Sequence, residues 1–150
     1  DAFAFEPNHT GTPRLVTGLE GKSVKSLAGG EHHSLALTEE GETYAFGRGD
    51  NNQLGFDDGT DQQLTPRLVP SLKGIKIAKL GTQANSNVAL STSGDLYSWG
   101  FGEMGQLCNG RGADERAPTL VEVAELAGMA VLDASVGGQH MAMVSMERPD

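Results

Sequence analysis

Apolar and polar residues alternate along this chain in runs too short to build helices. Ser34-Leu35-Ala36-Leu37 and Thr43-Tyr44-Ala45-Phe46 are two such runs, and a period of two is that of a strand with one buried face. Glu40-Gly41 separates them and Ser93-Gly94 separates a later pair. Both dipeptides predict hairpin turns in which glycine takes positive φ. The expectation is a succession of short, antiparallel, half-buried strands. Only the stretch from Val121 to Val131 is as compatible with a short helix as with a loop.

The pattern also repeats on a longer scale. TEEGETYAFGRGDNNQLG at 38–55 aligns without a gap on STSGDLYSWGFGEMGQLC at 91–108, an offset of 53 residues. Gly41, Tyr44, Gly47, Gly49, Gln53 and Leu54 return as Gly94, Tyr97, Gly100, Gly102, Gln106 and Leu107. Pro13-Arg14-Leu15-Val16 returns as Pro66-Arg67-Leu68-Val69 and, altered, as Pro118-Thr119-Leu120-Val121. A glycine step opens GGEHHSLAL at 29–37, GTQANSNVAL at 81–90 and GGQHMAMVS at 137–145. The units run over 29–80 and 81–136, with partial units at about 1–28 and 137–150. Units of this size holding about four short strands are propeller blades, which bury their faces on one another around a ring. Roughly three blades cannot close, so the expectation is part of a ring completed by other residues.

Composition agrees with an all-β chain: 21 glycines, 5% aromatic and 37% hydrophobic residues suit tight turns better than packed helices. The net charge of −9 leaves no basic stripe for phosphates, which argues against direct nucleic-acid binding by this segment. Cys108, the single cysteine, excludes an internal disulfide and a cysteine-based zinc site, and fits a reducing compartment. No apolar run approaches the roughly 18 residues of a membrane span, and the N-terminus does not read as a signal peptide. Asn8-His9-Thr10 fits the glycosylation pattern and is read as chance.

A glycine step with histidine, a Tyr-x-Phe/Trp-Gly-x-Gly run and a Gln-Leu-Gly end, on a period a little over 50, together resemble the regulator of chromosome condensation repeat. The resemblance covers nearly the whole chain and implies a seven-bladed β-propeller, of which this chain supplies about three consecutive blades from the C-terminal part. The order GGEHH, a step without histidine, then GGQH is similar to the branch of chromatin-bound exchange factors for the GTPase Ran. The ultraviolet-B receptor branch depends on clustered tryptophans; with Trp99 alone, this sequence disfavours it. The resemblance implies a nuclear, chromatin-associated protein that grips a Ran-type GTPase with one face of the ring and needs no cofactor. Core histones or chromatin would be met by other parts of the full protein, as would the wedge that disturbs the nucleotide pocket.

Carried over by position, the GTPase-binding candidates are His32 of GGEHH, His140 of GGQH, read in the register of His32, and Asp114 in the loop before Pro118. Each has a plainer alternative: a histidine bonded to a neighbouring blade, or a solvated turn aspartate. His33 points away from His32 because strand side chains alternate, so it belongs to packing and a paired histidine metal site is excluded. Cys108 replaces the glycine of Gln-Leu-Gly, so a different local backbone is expected there. Gly100-Phe101-Gly102-Glu103-Met104-Gly105 matches a dinucleotide fingerprint, but no helix is expected after it and the equivalent 47–52 lacks the third glycine. Nothing sets a nucleophile beside a base, so no bond-making catalysis is expected. A propeller that only scaffolds other proteins is the rival reading.

Overall fold

The computed structural model describes Phe3–Ala4 and residues 13–149; the Asn8-His9-Thr10 motif lies outside the described residues. Twelve strands are described, all antiparallel. β1 (Phe3–Ala4) pairs with β2 (Arg14–Leu15). β3 (Val24–Gly29), β4 (His33–Thr38), β5 (Thr43–Arg48) and β6 (Gln62–Leu68) form a four-stranded meander in chain order. β7 (Ile77–Gln83), β8 (Ser86–Ser91), β9 (Leu96–Gly100) and β10 (Glu115–Leu120) repeat it, and β11 (Met129–Val136) with β12 (Met141–Glu147) begin a third. Three blades' worth of strands is thus divided into two whole blades and two halves. The repeat units read from the sequence begin inside the sheets, because the glycine step lies at or within the first strand of each blade.

The sheets stack face on face. Leu35, Leu37 and Ala45 of the first blade meet Leu80, Ala89 and Trp99 of the second in one apolar cluster. Val88, Leu90 and Leu96 of the second meet Val131 and Ala134 of the third in another, and Ala36, Tyr44 and Phe46 meet Leu19 and Val16 on the other side. The half-buried expectation therefore fails for the middle strands. β4 and β8 are buried along almost their whole length, because each face lies against a neighbouring blade. The alternation seen in the sequence separates the two neighbours rather than core from solvent.

Gly41 and Gly94 hold the hairpin turns at φ of 86° and 85°, as expected. Between Val121 and Val131 there is only a single 3-10 turn, Ala124–Leu126, before β11 begins. After Gly100–Gly105 the chain makes turns and a loop that lead into β10, with no helix. The local change expected at Cys108 does not occur: its φ is 50°, beside 72° for Gly55 one repeat earlier. Matching backbone bonds hold both turns, Gly55 N to Asn52 O at 3.1 Å and Cys108 N to Gly105 O at 3.0 Å. Cysteine adopts the left-handed conformation because the flanking turn enforces it, at a cost of about 1 kcal/mol.

Candidate functional site

In a meander, the first and third connections of every sheet emerge at the same end. The loops at 30–32, 49–61, 84–85, 101–114 and 137–140 therefore share one end of the stacked blades. His32, Asp114 and His140 are brought together on that end, one on each of three successive blades.

Their surroundings differ. His32 lies in the bend before β4, with its side chain half exposed. Its own carbonyl accepts from Arg48 N at 2.9 Å, and the preceding Glu31 N donates to Ala84 O on the next blade at 3.0 Å. The backbone is fixed while the ring faces solvent, which suits contact with a partner. Asp114 is partly buried, and its Oδ1 accepts from Gly102 N at 2.8 Å, so the carboxylate closes the base of the 101–114 loop. Asp114 shapes that loop as well as presenting charge.

His140 does not share the register of His32. The N–H of Gly30 donates to His33 O at 2.9 Å, and the N–H of Gly137 donates to His140 O at 2.8 Å. A Cβ on Gly30 would run into the His33 ring, and one on Gly137 into the His140 ring. His140 thus stands where His33 stands. Aligning the paired glycines shifted the register by one; the shared Gly-x-x-His spacing of Gly30 to His33 and Gly137 to His140 carries the correct one.

His33 is 4% exposed and bridges to the second blade. The Asn87 amide N–H₂ donates to Gln53 O at 3.0 Å and also reaches Trp99 O, so its Oδ1 is the acceptor facing His33. His33 Nε2, 2.6 Å from that oxygen, carries the proton, and Thr82 Oγ1 lies 3.1 Å from the same nitrogen. Nδ1 is buried without a hydrogen-bond partner. Burial holds the His33 pKa below its ordinary value, against a smaller opposing effect of the Asn87 bond. Trp99 Nε1 donates to the same Gln53 carbonyl at 3.1 Å, and Gln53 Nε2 reaches Asn85 Oδ1 at 3.2 Å. His33, Gln53, Asn87 and Trp99 form a buried polar clasp between blades that reading the sequence alone did not assemble. His140 is exposed here, its counterpart acceptors belonging to the position of a following blade.

The loop end is acidic. Glu31, Asp50, Asp57, Asp58, Asp61 and Glu103 stand there, and nearby arginines are paired: Arg67 with Asp58 at 2.7 Å, Arg116 with Asp57 at 3.2 Å and Arg111 with Glu115 at 3.1 Å. Such an end favours a basic partner surface and repels phosphate. Among the described residues no three His, Cys, Asp or Glu side chains gather as a metal site would require. No helix of the described residues is long and apolar enough to cross a membrane.

Residues 40–90 and 93–144 match the model of the regulator of chromosome condensation repeat, and a second model of that repeat matches 24–53. The chain is 38% identical to the protein pim1 of Schizosaccharomyces pombe over 141 residues, covering 85% of this chain and 26% of pim1. It is 36% identical to the ultraviolet-B receptor UVR8 of Arabidopsis thaliana over 134 residues, covering 89% of this chain and 28% of the receptor. The scarcity of tryptophan therefore does not remove the chain from the receptor's neighbourhood in overall similarity. The solved structure of Prp20p from Saccharomyces cerevisiae, described with its binding to Gsp1p and histones, superposes with a TM-score of 0.82 at 25% identity, over 92% of this chain and 34% of Prp20p. The chain spans about a quarter to a third of these relatives. With both blades and their flanking halves matched, the chain belongs to the regulator of chromosome condensation repeat family.

Proposed function

We propose that this chain is the C-terminal part of a guanine-nucleotide exchange factor for a Ran-type GTPase, which docks on the loop end of the blades. The observation that carries the reading is the convergence of His32, Asp114 and His140 on that end, with the His32 ring exposed on an immobilised backbone. The acidic character of the end and the binding of Prp20p to Gsp1p and histones support it. Exchange then proceeds without bond chemistry: tighter binding of the nucleotide-free GTPase weakens nucleotide binding by reciprocity. His32 holds the partner in register and Asp114 keeps the 101–114 loop in shape for it. His140 joins the docking surface only where no further blade covers its ring. The complete protein would act in the nucleus on chromatin, with histones met by other segments.

The test is release of a fluorescent guanine nucleotide from Ran, catalysed by the complete ring. His32→Ala should slow release about tenfold, which corresponds to about 1.4 kcal/mol of docking energy, without altering the ring's melting temperature. Unchanged release by His32→Ala and Asp114→Ala would reject the reading and leave a protein-binding scaffold in its place. His140→Ala separates two roles: slower release with an unchanged melting temperature assigns contact, and a lowered melting temperature assigns the structural role of His33.

A further inference from the structure

The third blade is half complete among the described residues, and the side of β12 away from β11 has no strand paired to it. β12 corresponds to β4 and β8, each of which pairs with a third strand. Beside it a concavity of about 660 Å³ is lined by Gly105, Cys108, Val123, Leu126, Met143 and Ser145, among others. The first and second blades show what fills the matching place: Trp99 of β9 and Pro118 of β10 cover the Gln53-Leu54-Gly55 turn. A Cβ on Gly55 would lie 2.9 Å from Pro118 Cδ and 2.9 Å from Trp99 Nε1. The fully buried Trp99 can take its seat only because Gly55 has no side chain.

The same turn in the second blade is Gln106-Leu107-Cys108, with the same backbone bonds and the same left-handed final residue. Here the Cβ and Sγ of Cys108 occupy the volume that Gly55 leaves free. Asn87, the second donor to the Gln53 carbonyl, has its counterpart in Met141, which has no N–H in its side chain. A tryptophan posed like Trp99 would meet Cys108.

We propose that the open edge of β12 accepts a two-stranded hairpin of this same repeat type, and that Cys108 selects against tryptophan, and for a small apolar residue, at the position that Trp99 holds in the second blade. Backbone pairing along β12 supplies the affinity and the Cys108 seat supplies the choice. Exposed Val144 and Met146 on β12 mark this half-blade as one built to be covered. The inference is independent of GTPase docking, which uses the exposed loop residues instead.

The probe is a synthetic peptide with the sequence of Gly41–Val69, which carries β5 and β6, contains no cysteine and has Phe46 in the place of Trp99. It is made as Phe46→Val and as Phe46→Trp and offered to the intact chain. Binding is followed by calorimetry, and occupancy by the rate at which a thiol reagent labels Cys108. The valine peptide should bind at least about tenfold tighter than the tryptophan peptide and slow labelling, and Cys108→Gly, which suits the left-handed turn, should abolish or reverse the preference. Equal binding of the two peptides to the unaltered chain would overturn the selection, and failure of both to bind or protect the thiol would overturn the docking edge itself.

Discussion

Replacing Asn87 by leucine tests the inter-blade clasp most directly, because that side chain is fully buried and both of its ends reach the first blade. The substitution removes the bonds to His33 Nε2 and to Gln53 O, each contributing about 1 kcal/mol. It strands the buried His33 N–H on Thr82 alone, at about 1 kcal/mol more. The Gln53 carbonyl keeps Trp99 Nε1. Leucine offsets about 1 kcal/mol by its own burial, so the net loss should be about 2 kcal/mol, a fall of about 4–8 °C in melting temperature for a chain of this size. Urea denaturation followed by Trp99 fluorescence measures it. His33→Leu removes the stranded donor, so the double variant should be about 1 kcal/mol more stable than the sum of the single losses requires. Additivity within about 0.3 kcal/mol, or a melting temperature within about 1 °C of the unaltered chain for Asn87→Leu, would refute the clasp.

The same histidine sets a pH dependence. Its folded pKa lies below the unfolded value of 6.5, so the folded state refuses a proton that the unfolded chain accepts; the stability this group contributes is present above about pH 6.5 and lost as pH falls toward its folded pKa. The denaturation midpoint should therefore fall more steeply from pH 7 to 5 in the unaltered chain than in His33→Leu; parallel curves would show that His33 titrates normally. Cys108→Gly should raise stability by about 0.5–1 kcal/mol, since glycine occupies positive φ without penalty, and any loss in urea denaturation would point to packing by the thiol. Asp114→Ala should free Gly102 N and loosen the 101–114 loop, read as faster exchange of that amide with deuterium, with global stability falling by only about 1 kcal/mol.

Blade identity was legible in the sequence because a propeller writes its geometry into spacing: a 53-residue offset carries the hairpin glycines, the Gln-Leu turn and the core aromatics together. The placement of His33 inside was legible too, from alternation alone. The register of His140 was not, since it depends on which glycine lies beneath the ring and the string Gly-Gly offers two. Burial of both faces of β4 and β8, the clasp through Asn87 and Gln53, and the left-handed Cys108 were decided by tertiary structure. In each case the deciding partner lies on another blade or across a turn, dozens of residues away or held by backbone bonds that no local preference specifies. Periodicity within one chain segment can establish that a blade forms; which side chain meets which across two stacked blades is settled only when the sheets pack.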